Sequence, residues 1–161
     1  MPQSQILTVD RDLMFSQSLF GARVAQELAA EEAVLLAENR RIQAELTAEE
    51  KALTEKRSDM EADAFRAVAE AFDARVVQIR TEQDAKAANL EQRRQREQEA
   101  FIRVASPILT TLMRDAGASV ILERRQVLLR DPAVDITSLA IERINKTLGD
   151  GRSQSTVPED Q

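Results

Sequence analysis

The sequence predicts a mainly α protein: a long antiparallel helical hairpin, a coiled-coil arm, on a small α+β oligomerisation body. Three observations lead there. From Ala22 to Ser106 the chain runs 85 residues with neither Gly nor Pro. The commonest residues in that stretch, Ala, Glu, Gln, Arg and Leu, are strong helix formers. One straight helix of that length would reach about 125 Å, more than a small core can cover, so the stretch is a bare rod or a hairpin. The third observation is that β-prone runs stand only outside it, Ile6–Val9 on one side and Ser119–Leu129 on the other. The expected division is a body of residues 1–20 plus 101–148, an arm of residues 21–100 with its tip near 57–60, and a disordered polar tail over 149–161.

Ile6-Leu7-Thr8-Val9 is a short strand bounded by Asp10. Leu13 to Ser18 makes a turn of helix, and Gly21 opens the first long helix. That helix carries Val24, Leu28, Leu35, Ile42, Leu46 and Leu53 at steps of four or seven, so they share one face. Ser58 with Glu61 fits a capping box. Lys56-Arg57 before it and Asp59 and Glu61 within it have the charges that suit a helix ending and another starting. The return helix has Val68, Phe72, Val76, Ile79, Ala87, Leu90, Phe101, Ala105, Leu109 and Leu112. With Gln83, Arg94 and Gln98 the steps repeat as 4, 4, 3, an eleven-residue period and a nearly straight or slightly right-handed seam. Between Arg80 and Glu99 half of the 20 residues are charged, so the seam there is thin and mobile.

Ser106-Pro107 marks a kink or a fresh helix start, and Gly117 is the C-cap. Ser119–Leu122 and Val127–Leu129, separated by Glu123-Arg124-Arg125-Gln126, read as a β-hairpin with a charged turn. Asp131-Pro132 breaks the second strand, and Asp135 or Thr137 caps a last helix.

Composition narrows the function. The 161 residues include no His, Cys, Trp or Tyr. That removes most metal chemistry and most nucleophile–base pairs, so no enzyme and no cofactor is expected. Adjacent carboxylates such as Glu31-Glu32 and Glu49-Glu50 point different ways on a helix and read as solvated faces. The net charge of −6 argues against nucleic acid and anionic lipid as partners. No apolar run approaches the roughly 20 residues that span a bilayer, so no stable membrane insertion is expected. Residues 21–100 carry 13 basic and 18 acidic groups, net −5, while residues 101–148 carry 7 and 5, net +2. Neighbouring arms would therefore repel and splay at low salt.

A body of three short strands leaves open edges and a marginal core. Pairing with other copies is the remedy, and the candidate interface residues are Ile6, Val9, Val120, Leu122, Val127, Leu129 and Ile136.

A strand ending in Val-Asp, a Ser/Gly turn into a long helix, a helical hairpin, and a return through β-prone runs to a final helix resembles the Skp/OmpH-like periplasmic chaperones. The likeness rests on Ile6-Leu7-Thr8-Val9-Asp10 and Ser18-Leu19-Phe20-Gly21-Ala22-Arg23. At the far end it rests on Ala116-Gly117-Ala118-Ser119-Val120-Ile121-Leu122-Glu123-Arg124, Val127-Leu128-Leu129 and Val134-Asp135-Ile136-Thr137. It covers Ile6 to about Leu148. The resemblance implies a homotrimer whose arms enclose a cavity for unfolded outer-membrane β-barrel proteins. It implies an ATP-independent holdase in the periplasm, the leader taken as removed because Met1–Gln5 is short and polar. The arms here are acidic, whereas the best-known members are basic, and no lipopolysaccharide site is matched. Such a holdase shields its client by many weak contacts. Candidate contact residues are Met60, Phe65, Val68, Phe72, Val76 and Ile79, with Phe72, Val76 and Ile79 also expected to hold the hairpin and Met60 and Phe65 freer near the tip. The alternative is a structural coiled-coil adaptor that binds one folded partner.

Overall fold

A computed structural model describes residues 4–154. The element order is β1 (Ile6–Val9), α1 (Arg11–Ser16), α2 (Leu19–Lys56), α3 (Ala62–Asp115), β2 (Val120–Glu123) and α4 (Thr137–Leu148), with short 3₁₀ turns at Arg124–Gln126, Pro132–Val134 and Arg152–Gln154. Two compact units result. One is the body, residues to Glu27 together with those from Arg94; the other is a hairpin unit, Leu28–Arg93. Both boundaries fall seven residues inside the range 21–100, because the first turns of α2 and the C-terminal turns of α3 pack in the body.

The body is built around β1. β2 pairs with it in parallel, Ile6 opposite Val120 through Val9 opposite Glu123. On the other edge Thr8 bridges Asp135, and the Ile136 amide donates to the Thr8 carbonyl at 2.9 Å. Both edges of β1 are thus flanked, and Leu7, Thr8 and Val9, whose side chains alternate between the two faces, are all buried. The remaining core comes from Met14, Phe20 and Val24, from Phe101, Ala105, Ile108 and Leu112, and from Ile136, Ala140, Ile144 and Leu148. Phe101 is fully buried, and its ring meets Phe15 edge-on at 5.3 Å and Phe20 tilted at 5.4 Å.

The expected β-hairpin does not form. The β2 strand turns instead to β1, 114 residues away in register. The three charged residues between the two apolar runs, Glu123, Arg124 and Arg125, make body contacts rather than a hairpin turn. The Glu123 carboxylate accepts the amides of Arg11 and Arg125, while Arg124 and Arg125 pair with Asp10 and Asp12. These bonds fold residues 124–126 into a 3₁₀ turn. Val127–Leu129 is left without strand partners, with Leu128 95% and Leu129 88% exposed.

Helix ends follow local hydrogen bonding. Asp10 caps α1 by accepting the Leu13 amide at 2.9 Å. Ser18 Oγ accepts the Gly21 amide at 3.0 Å and donates to the Phe15 carbonyl, so α2 begins at Leu19 rather than at Gly21. Position 21 needs Gly for space: a Cβ there would lie 1.8 Å from the Phe15 carbonyl oxygen. At the tip the break is real but its cap differs. The α3 helix starts at Ala62, the Phe65 amide donating to the Glu61 carbonyl at 2.9 Å. Ser58 is then inside the turn, too early to cap the first turn of α3. The α3 helix runs through Ser106-Pro107 without a break, and Ser106 Oγ donates to the Ile102 carbonyl at 2.7 Å. It ends in a Schellman turn, Ala118 N–H to Met113 O at 2.9 Å and Gly117 N–H to Arg114 O at 3.0 Å. The α4 helix starts at Thr137, whose amide donates to Asp135 Oδ1 at 2.9 Å. Thr137 Oγ1 faces the core instead and accepts the Asp10 amide.

Of the expected tail, residues 149–154 lie against the body, with the Asp150 carbonyl accepting Arg23 Nε and a 3₁₀ turn at Arg152–Gln154. Residues 155–161 of that expected tail lie outside the described residues.

Candidate functional site

In the hairpin unit α2 and α3 meet along half-buried residues. On α2 these include Leu35, Asn39, Ile42, Leu46, Glu49 and Leu53, and on α3 Phe65, Ala69, Phe72, Val76, Ile79, Gln83 and Leu90. Their steps alternate 4 and 3, with Lys86 filling the place between Gln83 and Leu90. The seam therefore has a seven-residue period, not eleven, and calls for a left-handed wrap. Val68, Ala87, Arg94 and Gln98 are exposed. The eleven-residue pattern shares Phe72, Val76, Ile79, Gln83 and Leu90 with the contact row but takes Val68, Arg94 and Gln98 in place of the half-buried Ala69, Arg93 and Glu97.

In the hairpin unit ion pairs cross the seam between Glu31 and Arg93, between Glu38 and Lys86, and between Glu49 and Arg75. Each step of seven or eleven along α2 is matched by an equal step back along α3, so one register holds throughout. Lys86 Nζ reaches both oxygens of Glu38, at 2.7 and 2.9 Å. That hydrogen bond holds the Glu38 carboxyl below its ordinary value, against a smaller opposing effect of desolvation. The buried Gln83 Oε1 has no hydrogen-bond partner. The stretch that is thin in apolar residues is thus bridged by charge, with a polar layer at its centre.

The candidate contact residues divide. Phe65, Phe72, Val76 and Ile79 are half-buried in the seam, and the guanidinium groups of Arg57 and Arg75 lie 5.7 and 5.6 Å from the ring centres of Phe65 and Phe72. Met60 is half-buried in the tip turn, and Val68 is exposed off the seam. Sequence reasoning missed Val34, Leu36 and Val77, which are 69%, 50% and 64% exposed. All three, like Val68, stand next to a seam residue in the chain. The seven-residue frame picks them out: they are apolar and off register. Leu36 opens a shallow groove of about 780 Å³ along α2, lined also by Arg40, Gln43, Ala44, Thr47 and Lys51.

The candidate interface residues divide too. Ile6, Val120 and Leu122 are exposed on the small sheet, and Leu129 is almost fully exposed. Val127 is half-buried. Val9 and Ile136 belong to the body's own core, at 4% and 3% exposure, and offer no surface to a partner. A cleft of about 410 Å³ beside β2 is bordered by Val120, Leu122, Ile102, Leu109 and Met113.

Acidic groups in the body serve the fold. Asp10 is buried, and its carboxyl is held below the ordinary carboxylate value first by the Leu13 amide and then by Arg124 and Arg125, with burial acting the other way. Among the described residues no group of three or more His, Cys, Asp and Glu could hold a metal ion, and no helix is long and apolar enough to cross a membrane.

This architecture defines a class: a helical hairpin joining two parallel strands of a small body. The profile of the family described as "Outer membrane protein (OmpH-like)" matches residues 5–144, most of the chain, and the protein belongs to that family. The chain is also similar to the crystal structure of a candidate OmpH-like outer membrane chaperone from Caulobacter crescentus CB15. The TM-score is 0.80 at 21% identity, over 88% of this chain and 84% of that one. No curated protein sequence matches it.

Proposed function

We propose that the protein is an ATP-independent holdase that keeps unfolded outer-membrane β-barrel proteins from aggregating as they cross the periplasm. Membership of the OmpH-like family supports a chaperone role. The observation that carries the finer reading is the hairpin unit itself. Its charged surface is dotted with single exposed apolar side chains, Val34, Leu36, Val68 and Val77, instead of one continuous patch. Scattered weak sites suit an unfolded chain with alternating apolar residues. They hold it by number, and each lets go without fuel. A folded partner would call for a contiguous apolar surface with a buried centre.

The working form in this reading is a homotrimer whose arms enclose the client. Ile6, Val120, Leu122 and Leu129, with Val127 beside them, are the surface proposed to join the copies. Met60 and Phe65 add contacts near the tip. Clients contact the arms through the off-register residues, while Phe72, Val76 and Ile79 chiefly keep the hairpin closed.

The test is dilution of a urea-unfolded β-barrel protein into buffer with the chaperone, followed by light scattering and by sedimentation of the assembly. Replacing Val34, Leu36, Val68 and Val77 together with Ser should weaken suppression of aggregation at least several-fold while the assembly mass stays unchanged. Val120→Asp should reduce that mass. Unchanged suppression by the fourfold variant refutes the contact assignment, and an intact assembly of Val120→Asp refutes the interface.

A further inference from the structure

The segment after α4 turns back onto the first turns of α2. It lies beyond residues 5–144, the part shared with the family. The chain leaves α4 through Gly149, and the Gly151 amide turns back to the Leu148 carbonyl at 3.0 Å. Gly151 is buried with φ of +80°, and a Cβ there would lie 2.3 Å from the Phe20 ring. Only Gly fits that place on both counts. The preceding carbonyl, of Asp150, accepts Arg23 Nε at 2.8 Å.

Arg23 is the junction. Its guanidinium lies 4.8 Å from the centre of the Phe20 ring, on α2. It pairs with Glu27 on the same helix at 3.1 Å and with Glu97 on α3 at 3.6 Å. Its side chain is 11% exposed, so these charges are largely sheltered from water. One guanidinium therefore joins α2, α3 and the terminal segment. Asn145, in the last turn of α4, adds a second tie by accepting the Leu19 amide at 2.8 Å. The outer part of the segment is held more weakly: Arg152 is mostly exposed and stands 3.8 Å from Glu27 and 3.5 Å from Asp150.

We propose that Gly149–Arg152 is a latch on the root of the hairpin. Closed, it fixes the Arg23 guanidinium between α2 and α3 and covers Phe20. Open, it leaves the two helices joined at that level by Arg23 and Glu97 without the carbonyl that orients the fork. The latch rests on one buried glycine and one main-chain acceptor, so it can open while the sheet stays folded. Root stiffness is then set by residues outside the family's common region, independently of whether the arms hold clients.

Two variants test this in the full assembly by hydrogen exchange with mass spectrometry. Gly151→Leu drives a side chain into Phe20, and a chain ending at Leu148 removes the segment without a clash. Both should speed exchange in Leu19–Glu27 and Arg94–Phe101, on the order of tenfold for loss of one sheltered charge-assisted hydrogen bond. Exchange in Ile6–Val9, Val120–Glu123 and Phe65–Gln83 should stay as in the parent. If Gly151→Leu fails to fold, the shortened chain decides. Unchanged exchange at the root in both variants overturns the proposal. So does uniform acceleration or loss of folding in the shortened chain, since the segment would then be ordinary core.

Discussion

Replacing Phe101 by Ala should uncouple the body from its own helices. The ring is fully buried and contacts Phe15 and Phe20, so α1, α2 and α3 all converge on it. Removing a buried Phe costs about 3–5 kcal/mol, transfer and cavity together. The aromatic contacts, about 0.5–1.5 kcal/mol each, are included in that figure. Against a typical total of about 5–15 kcal/mol the loss is large. At about 5 °C per kcal/mol for a unit of roughly 100 residues, melting should fall by about 15–25 °C. The assay is thermal unfolding followed by far-UV circular dichroism. Protein concentration must be fixed, because association makes melting concentration-dependent. Phe101→Leu, which keeps most of the volume, should lose less than half as much. A fall of under about 5 °C for the alanine variant would refute the placement of this ring at the centre of the body.

The seam period can be tested by charge. Ala69→Glu places a carboxylate in the contact row and should lower hairpin stability by about 1–3 kcal/mol, whereas Ala87→Glu should be nearly silent; the reverse order in denaturant titrations would restore the eleven-residue pattern. Acid stability follows Asp10. Its folded pKa is depressed by the Leu13 amide and by Arg124 and Arg125, so its contribution is whole above the ordinary carboxylate value near 3.8 and is lost as pH falls through the lower folded value. Asp10→Asn keeps a capping acceptor but not the charge. Its melting temperature should therefore lie below the parent's at neutral pH and converge with it as pH falls below the lowered folded value of Asp10; a constant gap from neutral to acid pH would exclude titration of Asp10 as the cause.

The hairpin was legible because its signals are local. A long stretch without Gly or Pro, a charge reversal at Lys56–Glu61 and apolar residues at helical spacing all report on neighbours in the chain. The β1 strand and the Gly117 turn were readable for the same reason. What sequence reasoning misplaced depends on distant partners. Val127–Leu129 looks like a strand in isolation, but β1 had already taken the edge of β2, and Arg124 and Arg125 were bound to Asp10 and Asp12. Val9 and Ile136 looked like edge residues until the bridge between Thr8 and Asp135 covered both sides of β1. The contact row was read rightly at Phe72, Val76, Ile79, Gln83 and Leu90 but slipped by one residue at Val68, Ala87, Arg94 and Gln98, where an apolar, small or polar neighbour stands beside the contact position. The docked glycine at 151 had no local signal at all, since only the Phe20 ring shows what it is for.

The matched steps along α2 and α3 restrict how this hairpin can change length in evolution or by design. Cutting one strand alone would rotate its apolar stripe away from the other and set Glu31, Glu38 and Glu49 opposite the wrong cations. Removing seven residues from each side of the turn, at equal distance from it, restores both stripe and charge pairing. Longer or shorter versions are therefore accessible only in paired increments of about 10 Å, two helical turns at a time.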